Sequence, residues 1–206
     1  SSLGYLAAIL GVLIVFIASR AKDAQKENSE GLSFLDVKEL LSNKNYIVLI
    51  LVFFFAYLIY NTDTITITEY IFELGGSAQD VGSKWFIQAM SEIPMLFVGS
   101  KLLKKYNAKA MLTISLILLM LRYVLTGLSG STNQIILLSL LQAFTFPIML
   151  ISQRHLVFRE VPSHLKSTGQ MLAVSLSIGL SSIVAPLVSA LLMNFMTTSK
   201  VIISLG

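Results

Sequence analysis

The chain has 206 residues, of which 55% are hydrophobic and 13% are charged, and its mean hydropathy is +0.78. Soluble domains carry about 25% charged residues, so this composition excludes an ordinary soluble domain and indicates a protein of the lipid bilayer. The chain has no cysteine, which excludes disulfides and thiolate metal sites, and its composition does not suggest a cofactor.

Six apolar segments are long enough to cross a membrane, which takes roughly 20 residues at 1.5 Å per residue. They cover residues 3–19, 45–61, 81–99, 110–128, 133–153 and 168–192. The first segment lacks the charged start and cleavage site of a signal peptide, and residues 201–206 resemble the beginning of a further apolar segment. We therefore expect an all-α, polytopic membrane protein and interpret the chain as a piece of a longer one.

The basic residues are concentrated in alternate loops. Twelve of the 15 Lys and Arg residues fall within residues 20–44, 101–109 and 154–166. By the positive-inside rule these loops are cytoplasmic, which leaves the chain's first residue and the acidic segment 62–80, with Asp63, outside. The net charge of +4 is thus a topology signal, and nucleic acid is not an expected partner.

The loop of residues 20–44 ends in "SFLDVKELLSNK", which has the period of an amphipathic helix. Its apolar residues share one face: Phe34, Val37, Leu40 and Leu41. Ser33 with Asp36 resembles a helix cap. We predict a short helix lying on the inner membrane surface, and residues 21–32 fit a solvated linker equally well.

Two ionisable residues lie inside predicted spans, where a charge is costly and usually faces a cavity or a partner. Glu92 in "QAMSEIPMLF" is roughly 15 Å from the outer end of its span, and Arg122 in "LILLMLRYVLTGL" is roughly 9 Å from the same side. We expect them to share one cavity. The alternatives are that Arg122 extends to outer water and that Glu92 is a protonated structural carboxyl.

The fifth span carries a polar stripe at a spacing of three residues, formed by Ser139, Gln142 and Thr145. Such a stripe can bind a hydroxylated solute, and it can equally hydrogen-bond one helix to another. Pro147 removes a backbone donor close to the stripe and is expected to kink the helix there.

Small residues dominate the sixth span, "STGQMLAVSLSIGLSSIVAPL", which favours close helix packing and is also compatible with sliding between helical bundles. Lys84 and Trp85 begin the third span, where an interfacial aromatic belt is expected rather than a sugar-stacking platform. No segment matches a nucleophile elbow, a phosphate loop or a zinc-binding helix, so we do not expect an enzyme.

Taken in order, these features resemble the C-terminal part of the major facilitator superfamily, and within it the lactose permease-like oligosaccharide/proton symporters. "QAMSE" and "LRYV" are similar to that family's eighth-helix glutamate and ninth-helix arginine, and "LLQAFTFP" to its tenth helix. "GSKLLKKYNAK" resembles the superfamily's glycine and basic motif. The resemblance assigns residues 1–19 to the sixth helix, 20–44 to the central cytoplasmic loop, and 45–206 to five further helices and the start of the twelfth.

The chain also departs from that family. The positions of its tenth-helix lysine, histidine and glutamate hold Ser139, Gln142 and Thr145, and its seventh-helix aspartates fall at Asn61 and Thr64. Each ion pair has lost both partners together, as expected because one partner alone would be a stranded buried charge. We therefore infer that Glu92, as the remaining acid at comparable depth, pairs with Arg122, or that a missing N-terminal half supplies a carboxylate.

The resemblance implies a secondary transporter in a cell membrane, which we expect to be a bacterial plasma membrane. Two halves would rock about a midplane site in which Glu92, Gln142, Thr145 and Asn61 bind a small polar solute, which we expect to be a sugar or oligosaccharide. Glu92 and Arg122 would couple the movement to protons. A nucleoside or other metabolite transporter of the same fold and a non-transporting membrane sensor are the alternatives.

Overall fold

Helices account for nearly all of the residues that the computed structural model describes, which are residues 11–12, 14–16, 19–20 and 34–206, and none of these lies in a β-strand. The chain divides into two compact units, Ser1–Phe34 and Leu35–Gly206. In the first unit the described residues are helical. Most of the predicted first span and residues 21–33 of the predicted central loop, including Ser33, lie outside the described residues.

The second unit consists of long helices joined by short turns. They are α1 (Phe34–Ser42), α2 (Lys44–Glu73), α3 (Ala78–Lys105), α4 (Ala108–Gly127), α5 (Thr132–Leu138), α6 (Phe146–Glu160), α7 (Lys166–Val174), α8 (Leu180–Phe195) and α9 (Thr198–Ser204). A 3₁₀ segment, Ser139–Phe144, joins α5 to α6, and a π segment, Ser175–Gly179, joins α7 to α8. Each of these two interrupted helices therefore forms a single membrane span.

Four stretches of the described residues are long and apolar enough to cross a membrane: Lys44–Glu73, Ala108–Gly127, Thr132–Glu160 and Ser163–Phe195. They coincide with the predicted second, fourth, fifth and sixth spans. The predicted third span lies in α3, which is 28 residues long but more polar than the other four. The polar side chains of α3 are those that form the site described below.

The helix predicted at the end of the central loop is confirmed as α1, and a buried side chain anchors it to the bundle. Leu40 packs with Tyr46 and Leu165 in one apolar cluster. Asn43 caps α2 by accepting from the backbone N–H groups of Asn45 and Tyr46, and its amide donates to the carbonyl of Glu160. The position of α1 relative to a membrane surface stays a prediction.

The two ends of α3 are set by local chemistry. Gly75, with φ of +79°, ends the preceding turn in the left-handed region that glycine adopts without strain. Ser77 and Asp80 then form a reciprocal capping box at the start of α3. Hydrogen bonds from the backbone N–H and the hydroxyl of Ser77 hold the pKa of the Asp80 carboxyl below its usual value.

The predicted interruption near Pro147 is confirmed. The α-helix gives way to 3₁₀ geometry at Ser139, and α6 begins at Phe146 with Pro147 in its first turn, where a missing N–H costs little. The aromatic ring of Phe146 stacks on that of Tyr60 in α2, with centroids 4.8 Å apart. The break therefore places a new helix start against the middle of α2.

Small residues line the face that α7, the π segment and α8 turn towards the rest of the bundle. The buried ones recur every four residues: Gly169, Ala173, Ser177, Ser181, Ala185 and Ser189. This face packs against α2, and Ser177 accepts a hydrogen bond from Gln153 of α6. The packing role expected for the sixth span is confirmed.

Replacing Ala185 by leucine is expected to overpack the contact between α8 and α2. Ala185 is fully buried, whereas Ala190 on the same helix is exposed, so Ala190→Leu is a matched control. We expect Ala185→Leu to lower the free energy of unfolding by about 1–3 kcal/mol, measured on the full-length protein in detergent. Equal unfolding midpoints for the two variants would contradict this packing.

Candidate functional site

The site is organised by a part of α2 that continues beyond the predicted span. The second span was predicted to end at residue 61, with Asp63 in the outer loop, but the helix runs on to Glu73. Threonine hydroxyls in this stretch donate to carbonyls of their own helix, as Thr62 does to Leu58 and Thr66 to Thr62. Because those hydroxyls are satisfied internally, a segment that is polar by composition is buried as helix.

Asp63 forms a buried ion pair with Arg122 of α4. One guanidinium nitrogen of Arg122 lies 3.3 Å from Asp63 Oδ2, and the two side chains are only 4% and 5% exposed. Two predictions are wrong: Asp63 is inside the bundle rather than in a loop, and Glu92 is not the only acid available to Arg122. The extension of Arg122 to outer water is excluded by its burial.

Lys84 of α3 is the second buried cation of the site. Its side chain is 2% exposed, and its ammonium has no hydrogen-bond partner among the described residues. It lies 3.3 Å from the ring centroid of Trp85, a cation–π contact. The structure thus buries Lys84 inside the bundle, and its depth relative to a membrane interface stays a prediction.

These three charges surround a small cavity of about 10 Å³, roughly the space of one water molecule. Its lining combines the three charged side chains with apolar and hydroxyl groups: Asp63, Ile67, Lys84, Arg122, Thr126, Ile135 and Ser139. Asp63 Oδ1 and Arg122 Nε, like the Lys84 ammonium, have no hydrogen-bond partner among the described residues. The three charged side chains are thus closely packed, but some of their polar atoms have no hydrogen-bond partner among the described residues.

Glu92 lies deeper and is half-buried. At 1.5 Å per residue it is roughly 21 Å from the start of α3 at Ala78, whereas Lys84 is roughly 9 Å from it and Arg122 roughly 8 Å from the end of α4. Arg122 and Lys84 therefore share a depth that Glu92 does not. The carboxylate that Arg122 contacts in this structure is that of Asp63.

The surroundings of Glu92 are polar. Its carboxyl group lies next to the side chains of Gln88 and Gln142 and interacts at longer range with the charges of Arg122 and Lys84. The Nε2 atom of Gln142 has no hydrogen-bond partner among the described residues, so the amide and the carboxyl group are close without being hydrogen-bonded. Of the two carboxylates of the site, the described residues hold only Asp63 in an ion pair, and Glu92 is without one.

The predicted stripe of Ser139, Gln142 and Thr145 is brought onto one face by the 3₁₀ segment, in which side chains three residues apart are eclipsed. All three side chains are buried. The hydroxyls of the stripe bond locally: Ser139 donates to the carbonyl of Ile136, and Thr145 donates to the carbonyl and side-chain oxygens of Gln142. The segment packs against α3, where Gln142 lies next to Glu92 and Ser139 lines the small cavity beside Asp63, Lys84 and Arg122.

Asn61 is separated from this group by its partners. Its side-chain nitrogen donates to the hydroxyls of Ser181 and Ser182 in α8, at 2.9 and 3.1 Å. The residue is half-buried, and its amide ties α2 to α8. In this state Asn61 stabilises helix packing.

The residues that sequence reasoning missed are Asp63, Lys84 and Gln88. A signal was present for two of them, because Lys84, Gln88 and Glu92 follow one another every four residues and must share one face of a helix. Asp63 gave no such signal, since its partner is 59 residues away in the chain. Its assignment depends on the tertiary contact alone.

Comparison with known protein families agrees with this architecture. The family model described as the MFS_1 like family matches residues 3–202, which is nearly the whole chain. No curated protein and no solved structure matches the chain.

Replacing Asp63 by asparagine is expected to destabilise the protein strongly, because it leaves Arg122 and Lys84 buried without a counter-charge. Removing one partner of a buried ion pair costs about 3–5 kcal/mol. We expect the free energy of unfolding of the full-length protein in detergent to fall by this amount. Glu69→Gln, an exposed acid of the same helix, is the control.

The double variant Asp63→Asn/Arg122→Gln tests whether the loss of stability comes from an unpaired buried charge or from the change in side-chain packing. It removes both members of the pair, and we expect it to recover part of the lost stability. If Asp63→Asn unfolds at the same midpoint as Glu69→Gln, the buried pair does not exist in the protein.

Proposed function

This chain belongs to the MFS_1 like family, and we propose that it forms one wall of a secondary active transporter that moves a small polar solute by alternating access. The chain has the all-α, membrane-spanning architecture of a transporter of the MFS fold. In such transporters two bundles rock about a site near the bilayer midplane. A sugar or oligosaccharide is the solute class that we propose, in a plasma membrane of bacterial type.

The observation that carries this proposal is the state of Glu92. It is an ionisable residue inside the membrane region, half-buried and flanked by the amides of Gln88 and Gln142, and it forms no ion pair within the described part of the chain. A carboxylate beside two amides offers both acceptors and donors, which is the combination that the hydroxyls of a sugar require. Intramembrane ionisable residues of this kind typically mark a solute or ion pathway.

The other proposed solute-binding residues differ in how accessible they are to a solute. Asn61 uses its nitrogen to hold α8, so its side-chain oxygen is the atom that it offers to a solute. Gln142 and Thr145 are fully buried in this state, and they would reach the solute only after α3 and the 3₁₀ segment move apart. We propose that this movement accompanies binding.

Proton coupling is the second part of the proposal. A proton on Glu92 would neutralise the one unpaired carboxylate and change which donors it can accept from. Arg122 contributes through the Asp63 pair, because a change of charge at Glu92 acts on Arg122 at longer range. The coupling pair is thus Glu92 with the Asp63–Arg122 unit.

A nucleoside is the second solute class to be tested. Tyr60 and Phe146 are stacked at 4.8 Å beside Glu92, and flat rings of this kind favour a flat base as well as a sugar face. The run Glu92-Ile93-Pro94 also resembles nucleoside symporters of this fold. A panel of labelled sugars and nucleosides in competition on the full-length protein separates the two classes.

Replacing Glu92 by glutamine is expected to abolish proton-driven accumulation of the solute by the full-length protein in proteoliposomes. Loss of a charged hydrogen-bond acceptor costs about 1.5–3 kcal/mol, so we also expect solute affinity to fall by roughly 10- to 150-fold. Glu69→Gln serves as the control because Glu69 is exposed. Accumulation by Glu92→Gln at the wild-type level would remove Glu92 from the mechanism.

A further inference from the structure

The charges around the cavity do not balance. Lys84 and Arg122 supply two cations, and Asp63 supplies the one carboxylate that lines the cavity. The carboxylate is already committed to Arg122 through Oδ2. A net positive charge sealed from water is costly, so the balance is restored when one cation loses its proton or gains a second acceptor.

Lysine is the group that can make this change. A guanidinium stays protonated within proteins, whereas a buried lysine can exchange its proton. The charged groups that face Lys84 are Asp63 of α2, Arg122 of α4 and, further along α3, Glu92. The other lining residues, including Ile135 of α5 and Ser139 of the 3₁₀ segment, carry no titratable group.

We propose that Lys84 is a proton-binding site whose occupancy sets the partner of Asp63; this inference rests on the proton-coupled transport proposed above. When Lys84 is a neutral amine, the Asp63–Arg122 pair is balanced by itself. When Lys84 gains one proton, its ammonium turns to Asp63 Oδ1, the carboxylate oxygen without a hydrogen-bond partner in the described structure. The step adds one proton to nitrogen and breaks no covalent bond.

The geometry gives this proton a mechanical effect. Asp63 lies on α2, Arg122 on α4 and Lys84 on α3, so a second cation on Asp63 draws α3 towards α2 and weakens the tie between α2 and α4. Glu92 lies on the same face of α3, eight residues along. A proton at Lys84 therefore acts on the proposed solute site through the helix that carries both residues.

Trp85 provides a direct test, because it is the only tryptophan of the 206 residues and its ring lies against the Lys84 ammonium. We expect the emission of the full-length protein in detergent to change as pH is raised from neutral to alkaline. Lys84→Met keeps the length of the side chain without the charge and is expected to remove the part of this change that comes from Trp85. Lys200→Met, at an exposed lysine, is the control and is expected to titrate like wild type.

Transport distinguishes a proton site from a structural lysine. Lys84→Met imitates the neutral form and Lys84→Arg the protonated form. We expect both variants to flatten the pH profile of solute uptake in proteoliposomes, and to differ from each other in uptake at neutral pH. If Lys84 had only a structural role, Lys84→Arg would restore uptake to the wild-type level and the pH profile of uptake would be unchanged.

The two proposals fail separately. If the wild-type protein moves no solute, the proposed function is wrong, while the Trp85 titration still tests Lys84. If uptake is normal but Lys84→Met leaves both the Trp85 titration and the pH profile as in wild type, Lys84 is not a proton site. A dependence of the Trp85 emission on chloride that Lys84→Met removes would also overturn the proposal, because the cation would then be balanced by an anion.

Discussion

The ion pair between Asp63 and Arg122 is the constraint that the rest of the bundle has to satisfy. Taking two charges out of water costs several kcal/mol for each, and their attraction offsets this only when they are held close together and enclosed. Here α2 and α4 supply the two charges, while α3, α5 and the 3₁₀ segment close the space around them. The pair therefore specifies which helices are neighbours at this depth.

Close approach of the other helices depends on small residues. Gly127 at the end of α4 touches α9: a Cβ atom there would lie 2.8 Å from the Ser199 carbonyl oxygen, and the Ser199 hydroxyl donates to the Gly127 carbonyl. The small-residue face of α7 and α8 does the same against α2. Since lipid gives apolar side chains little reason to associate, this packing and a few hydrogen bonds must hold the bundle around its charges.

Sequence alone predicted the parts of this architecture that depend on hydropathy and on local chemistry. The spans in α2, α4, α6 and α8 follow from length and apolar content, and the break before α6 follows from Pro147. The end of α2 was misjudged because hydropathy counts a threonine as polar even when its hydroxyl bonds to its own helix. Asp63 and Lys84 were assigned to the outer surface for a related reason, since a charge is read as exposed unless its partner is known.

The polar face of α3 offers a way for a short charge network to connect the proposed solute site at Glu92 with the Asp63–Arg122 pair. Lys84, Gln88 and Glu92 are spaced every four residues, so they lie along one face over roughly 12 Å. A rotation of α3 that turns Glu92 towards a solute must also move Lys84 relative to Asp63 of α2, because Lys84 and Glu92 are fixed to the same helix. Coupling of this kind needs no continuous chain of charges between the two sites. It requires only that each end of the helix has two alternative partners, and two groups that have no hydrogen-bond partner among residues 34–206 or the other described residues, Asp63 Oδ1 and the Gln142 amide, are the available second partners.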